Sequence, residues 1–287
     1  MSLKRDLDEK GWAIVKSVLT PGEASYVYDM YHEWMESVPQ LMGVARHHGI
    51  FKMGEAGNQY HSWFVRTHPN VQRQFTDIYG TTEFTTGFDG SCYFSKEEVT
   101  RGDPNWTHSD QAPSKYDFEC VQSFVSLTKN DHRCLRVYEG SHKLHEQYMK
   151  DRGLDVGETK NKNWHKIDLD FLETIQDSMR VIHVEPGDMV FWDSRMFHQN
   201  QVGEGNEERI VLYICLQPKH HPKNTAAMQA KRLKYFHERR TTSHWAYPLQ
   251  VNGLQGQTYG DLTQTVNYSL LPKPDLTFLM PRIMKLL

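Results

Sequence analysis

Long hydrophobic runs are missing from this chain. The longest uncharged apolar stretch, residues 210–216, has seven residues, where a bilayer-spanning helix needs about 20. Cysteine is scarce too. The four present (Cys92, Cys120, Cys134, Cys215) show no CxxC spacing and are too few for a disulfide-built scaffold. They are expected to be reduced, strand-buried thiols in a cytoplasmic protein. The opening residues, 1–6, carry no apolar core of the kind a secretory signal needs. Charge of one sign is not in excess: 33 Lys and Arg stand against 36 Asp and Glu, for a net charge of −3. That balance argues against a protein devoted to nucleic acid. Neither membrane nor nucleic acid is therefore an expected partner.

What is present suits a globular protein. The chain has 287 residues, 38% hydrophobic and 12% aromatic, enough to bury a core and too apolar for disorder. No repeat, low-complexity tract or Pro/Ser-rich linker divides it, so a single domain is expected over 1–287. Its parts are a helical N-terminal flank of about 1–80, a β core of about 84–218 and a helix-and-loop tail of about 219–287. Thr20-Pro21-Gly22-Glu23 predicts a helix start, with Thr as N-cap, Pro in the first turn and Glu closing a capping box. Val27, Met30, Tyr31, Trp34, Met35 and Val38 then recur at helical spacing. Further helices are predicted over 70–79, 170–177 and 222–240. Between them, residues 84–94, 120–128, 134–138, 179–184, 189–192 and 209–217 are short, rich in Val, Ile, Tyr, Phe and Cys, and bounded by turn residues. Without βαβ alternation these strands suggest an antiparallel barrel or sandwich. The fold class is mainly β with flanking helices.

Sixteen histidines are an unusual number. In Trp106-Thr107-His108-Ser109-Asp110, residues i and i+2 of an extended segment share a face. His108 and Asp110 can then present a nitrogen and an oxygen to one point. A third ligand from a neighbouring strand gives the two-histidine, one-carboxylate arrangement of non-haem iron oxygenases, which leaves positions open for a cosubstrate and O2. Spacing alone does not select this pair. The composition predicts about two His-x-acid triplets by chance, and the chain holds two, the other being His183-Val184-Glu185. Context separates them: His183-Val184-Glu185 runs into the turn Pro186-Gly187-Asp188. His198 follows the next strand, and eleven positions later Arg209 heads an otherwise apolar run. A guanidinium at the mouth of such a strand needs an anionic partner, and a carboxylate held bidentately is the natural one.

These residues, taken together and in order, resemble the phytanoyl-CoA dioxygenase family. They are His108-Ser109-Asp110, Gly140-Ser141-His142-Lys143, Pro186-Gly187-Asp188, Trp192-Asp193-Ser194-Arg195 with His198, and Arg209. The likeness runs from about Leu7 to about Pro218. Two departures lie outside the ligand positions: Asn130-Asp131-His132-Arg133 stands where Asn-Gly-Gly is usual, and Glu139 where a Pro is usual. The resemblance implies a double-stranded β-helix (jelly-roll or cupin-like) core that uses Fe(II) and O2, with 2-oxoglutarate as cosubstrate, and releases succinate and CO2. It implies His108, Asp110 and His198 as iron ligands and Arg209 as the anchor of the distal 2-oxoglutarate carboxylate. Asn200 adds a hydrogen bond to the cosubstrate, with Ser126 and Gln122 as further candidates for that pocket. Halogenating relatives carry Gly or Ala at the position of Asp110, so hydroxylation is favoured here.

Trp106, Gln111 and His61 are candidates for lining a substrate pocket, with packing or surface roles as the competing reading. His142 and His145 are expected to be structural, His47-His48 and His220-His221 to be surface pairs, and Arg195 to sit in a structural ion pair. Arg209 has an alternative partner in Glu204, Glu207 or Glu208. Segment 219–240 holds seven Lys and Arg against one acid; a solvated helix face is the commoner outcome, while a small-molecule substrate of anionic character also suits it. Segment 250–259 is expected to be loop, with a lid as one use for it. The sequence supports a 2-oxoglutarate-dependent hydroxylase of a small organic molecule. The alternatives are a catalytically silent metal- or ligand-binding β-barrel, and the same chemistry on a protein or nucleic acid.

Overall fold

Alternation along the strands dictates the layering. The computed structural model describes residues 2–38, 47–97, 104–201, 203, 206–254 and 265–287. Six strands form one antiparallel sheet in the order β1 (Trp12–Val15), β10 (Met189–Asp193), β6 (Val121–Ser126), β12 (Arg209–Ile214), β4 (Ser91–Phe94), β2 (Ile50–Phe51). A second antiparallel sheet has the order β8 (His165–Lys166), β5 (His108–Ser109), β11 (His198–Asn200), β7 (Asn130–Tyr138), β9 (Met179–Val184). A short pair joins β3 (Phe84–Thr86) to β13 (Leu216–Pro218).

Odd and even positions of the larger sheet go to different cores. Val121, Val125, Met189, Phe191, Ile210, Leu212 and Ile214 join a cluster with helix residues. Phe124, Val190, Trp192 and Val211 face the other way and pack on Leu135, Val137, Ile182 and Val184 of the second sheet. The larger sheet is thus buried on both faces, and strands rich in Val, Ile and Leu suit that position. The helices α1 (Leu3–Lys10), α2 (Pro21–Ser37), α3 (Tyr60–Arg66) and α4 (Pro69–Tyr79) flank it. Their buried residues Leu7, Val27, Tyr31, Trp63 and Phe75 belong to the first cluster. The α2 capping box forms as expected: Thr20 Oγ1 accepts from Glu23 N, and Glu23 Oε2 accepts from Thr20 N. The remaining helices are α5 (His145–Asp151), α6 (Leu169–Thr174), α7 (Ala226–His237) and α8 (Met280–Leu286). Leu279, Ile283 and Leu286 bring the tail into the same core as α2.

Several expected boundaries are corrected. Residues 84–94 form two strands, because the link Gly87-Phe88-Asp89-Gly90 crosses from the small pair to the large sheet. A Cβ at Gly90 would collide with the Phe51 carbonyl. Residues 209–217 likewise divide at Cys215 into β12 and β13. The expected 170–177 helix is α6 followed by a 3-10 turn at Gln176–Ser178, and α7 is shorter than 222–240, with Thr225 as its N-cap. All seven basic side chains of 219–240 find intramolecular partners. Arg232 is fully buried, donating to the carbonyls of Thr86 and Ala246. Lys223 meets Glu119, Lys234 meets Glu238, Arg239 meets Glu55, and Lys219 and Arg240 donate to carbonyls. Lys231 lies over the Tyr235 ring. Part of 250–259 (residues 255–259) lies outside the described residues. Among the described residues no helix is long and apolar enough to cross a membrane.

Candidate metal centre

Two very short strands place the key histidines. β5 pairs with β11 so that His108 lies directly opposite His198, and such a pair brings side chains within contact. Their ring centroids are 4.4 Å apart. Each imidazole is aimed by its own backbone: His108 Nδ1 lies 2.9 Å from Trp106 O, and His198 Nδ1 lies 3.0 Å from Met196 O. A carbonyl can only accept, so Nδ1 carries the proton in both rings and the Nε2 lone pairs are free for a metal. Asp110 N donates to Ser194 O, which turns the carboxylate to the same point. Asp110 Oδ1 is 3.5 Å from His108 Nε2, and Oδ2 is 3.4 Å from His198 Nε2. One ligand atom from each of the three lies within 4.8 Å of the others.

The electrostatics suit a cation. Burial would raise the Asp110 carboxyl, but the two imidazoles overcome it and hold the acid well below the usual carboxylate range. Burial, followed by repulsion from His108, holds His198 below its ordinary value, with Asp110 opposing. The aspartate is therefore ionised and His198 neutral near pH 7, the states a metal requires. Gln122 Nε2 donates to Asp110 Oδ2 at 3.0 Å. This orienting contact places Gln122 against the cluster itself.

The Gly140–Lys143 loop and the Pro186-Gly187-Asp188 turn act at a distance. Ser141 Oγ accepts from Phe197 N at 2.8 Å, fixing the approach to β11. Gly187 sits at φ +88°, where a Cβ would lie 2.5 Å from Leu19 O, so only glycine fits. Asp188 accepts from Lys16 Nζ, Ser17 N and Glu185 N.

Arg209 is 1% exposed and lies over the Phe124 ring. Its Nη1 donates to Asn200 Oδ1 (2.9 Å) and Cys134 O (3.3 Å), while Nε and Nη2 are buried without a partner among the described residues. Neither of the two described glutamates takes it. Glu207 accepts backbone N–H groups of residues 131–133, Glu208 accepts from Tyr28, and Glu204 lies outside the described residues. A buried guanidinium with two idle donors is costly unless an anion arrives. A carboxylate fits this donor set. Asn200 Nδ2 donates to Tyr213 Oη and His48 O, locking the side chain that holds Arg209.

A cavity of about 200 Å³ opens on the cluster, lined by His108, Asp110, His198, Gln122, Asn200 and Trp106, among others. Other sequence candidates lie elsewhere, which corrects their expected place. Ser126 shares a strand face with Gln122 but is turned onto Thr128 O. Gln111 is spent on Lys115 O, Asp117 O and Ser194 Oγ. His61 packs between Tyr31 and Trp34, away from this cavity. His48 is buried, not a surface residue, and stacks on Trp106 at 4.0 Å and 9°. His142 and His145 are buried against backbone carbonyls, and Arg195 pairs with Asp193 at 2.6 Å. Sequence reasoning passed over Lys52, Asp89, Trp164, Tyr213 and His244, which line the cavity from five separate segments. The β-strand alternation of Arg209, Val211 and Tyr213 is the only sequence signal that could have found any of them.

Comparison with known proteins agrees with this geometry. A curated relative, Ava biosynthesis cluster protein O of Aspergillus versicolor, is 25% identical over 239 residues, 75% of this chain and 76% of that protein. Among solved structures, the epimerase SnoN in complex with Fe3+, alpha ketoglutarate and nogalamycin RO superposes with a TM-score of 0.53. It is 17% identical, over 75% of this chain and 82% of that one. HygX from Streptomyces hygroscopicus, with nickel and 2-oxoglutarate bound, gives 0.53 at 12% identity, over 77% and 89%. The family model described as phytanoyl-CoA dioxygenase matches residues 7–202, a span that holds all three converging side chains. The chain belongs to the phytanoyl-CoA dioxygenase family.

Proposed function

We propose that the protein is an Fe(II)- and 2-oxoglutarate-dependent dioxygenase that hydroxylates a small organic molecule, using O2 and releasing succinate and CO2. The observation that carries this reading is the convergence of His108, Asp110 and His198 on one point, together with cavity-lining Asn200 accepting from a buried arginine whose Nε and Nη2 have no partner among the described residues. His108, His198 and Asp110 hold the metal. Arg209 holds the distal carboxylate of 2-oxoglutarate, and Asn200 positions Arg209. Gln122 orients Asp110, while Trp106 packs against His108 at 4.7 Å and keeps water from that side. Iron with 2-oxoglutarate supplies the oxidising chemistry when bound; the protein's part is to seat both and hold a C–H bond of the substrate in the cavity. Asp110 fills the third ligand position, which favours hydroxylation over halogenation. SnoN is an epimerase, so product analysis has to decide between outcomes.

The same reading takes 1–287 as one oxygenase domain with a jelly-roll core, supported by the two facing sheets and by tail residues sharing the main core. Four buried, free thiols suit a reducing, cytoplasmic setting. The test is direct. Fe(II) and 2-oxoglutarate added without oxygen should give a visible metal-to-ligand charge-transfer band, and O2 should then yield succinate. A band without succinate would leave a silent metal-binding barrel, and no band would remove the metal reading.

A further inference from the structure

The cavity has a second set of polar groups, apart from the metal and cosubstrate positions. Lys52 Nζ lies 3.2 Å from Asp89 Oδ1, and His244 Nε2 is buried without a partner among the described residues; all three residues line the cavity. His244 comes from beyond the stretch that the family model matches. Its segment is bolted to the link carrying Asp89: Thr242 N donates to Phe88 O, and Phe88 N donates to Thr242 Oγ1. A Cβ at Gly87 would lie 2.6 Å from Ser243 O, so the two backbones touch. Trp164, 48% exposed, also lines the cavity, with its ring 5.6 Å from His108 and inclined by only 29°.

We infer that this cavity takes a neutral, flat, oxygen-bearing molecule, its ring system against Trp164 and a hydroxyl or carbonyl oxygen hydrogen-bonded by Lys52 and His244. The inference rests on the oxygenase reading and supplies its substrate class. Charge decides for neutrality. Among the described residues Lys52 is the one Lys or Arg lining the cavity, against the carboxylates of Asp89 and Asp110, and Lys52 is already paired with Asp89. With Fe(II), Arg209 and Lys52 set against Asp110, Asp89 and a 2-oxoglutarate dianion, the loaded site carries no net charge, so a neutral substrate keeps it balanced and the anionic substrate allowed by the sequence is disfavoured. Polar recognition follows from chemistry. An ammonium has donors to spare after one ion pair, and an imidazole nitrogen either donates or accepts; a hydroxyl satisfies both. A buried polar atom left unpaired is unfavourable, so a ligand without oxygen loses affinity. Broad aromatic faces such as that of Trp164 favour planar partners.

Isothermal titration of 1-naphthol, naphthalene and 1-naphthoate into the anaerobic protein loaded with Fe(II) and 2-oxoglutarate tests this. 1-Naphthol should bind at least about tenfold more tightly than either companion, the scale of one good hydrogen bond. His244→Phe should erase most of that preference while leaving naphthalene binding in place; His244→Gln, which keeps a donor and an acceptor, should retain it. Trp164→Ala should weaken all three alike. Equal binding of the three, preference for 1-naphthoate, no binding at all, or an unchanged preference in His244→Phe overturns the inference. The charge-transfer band, recorded on the same samples, separates the failures: its absence defeats the oxygenase reading as well, whereas a band with any of those results defeats the substrate class alone.

Discussion

The chain contains the same three-residue pattern twice, and the two copies have different fates. In His108-Ser109-Asp110 the first two residues are buried and the aspartate side chain is only 15% exposed, with His198 across the strand pair and the three side chains converging. In His183-Val184-Glu185 the side chains of His183 and Glu185 are 58% and 57% exposed. His183 lies 3.9 Å from Asp131, and Glu185 pairs with Lys129 at 3.0 Å. Both histidines sit on strands of the five-stranded sheet. Spacing puts a histidine and an acid on one side of a strand; it does not decide which way that side faces. β9 is an edge strand whose outward positions meet water, whereas β5 lies inside its sheet and faces the enclosed side.

The sharpest way to break this contrast is to remove ligands from each copy. His108→Ala, Asp110→Ala or His198→Ala should abolish Fe(II) binding and succinate formation, while His183→Ala and Glu185→Ala should leave both intact. Normal activity in any of the first three would take that residue out of the triad. Arg209→Ala comes next. Losing the partner of a buried carboxylate costs about 2–5 kcal/mol, so the 2-oxoglutarate KM should rise at least about tenfold; an unchanged KM puts the cosubstrate elsewhere. pH sharpens the comparison further. His198 is held below its ordinary value by burial and by His108, so protons displace metal only on the acid side of neutrality. Iron affinity, measured by titration of the charge-transfer band, should be flat above about pH 7 and fall as pH drops, by up to about tenfold per unit for each proton that must leave. Gln122→Leu removes one hydrogen bond to Asp110, worth about 1 kcal/mol, and should weaken iron binding severalfold without abolishing it. The smallest effect belongs to the exposed copy: Glu185→Ala should change folding stability by no more than about 0.5 kcal/mol in denaturant melts.

Legibility in the sequence followed the same division. Elements with a strong local signal were readable: the capping box of α2, the apolar stripe from Val27 to Val38 that follows it, and the strand Met179–Val184. β5 and β11, at two and three residues, are too short to show alternation, yet they place the histidines. Those histidines were legible only through ordered motifs around them. Gln122 was visible as a strand residue and proves to touch Asp110, but its neighbour on the same face, Ser126, turns to a carbonyl that only the folded backbone brings near. Lys52, Asp89 and His244 had no signal, because their shared cavity is made by segments far apart in sequence that meet through backbone contacts at Phe88 and Thr242.

The attachment of residues 241–252 to the Gly87–Gly90 link has a practical consequence. The segment is also anchored from within: Trp245, Ala246 and Leu249 are buried, Arg232 donates to Ala246 O, and Gln217 accepts from Ala246 N. Whole-loop exchange between Thr241 and Asn252 would therefore unseat packed side chains, whereas single changes at His244, the cavity-facing position of this stretch, can retune which compounds enter with the anchors left in place.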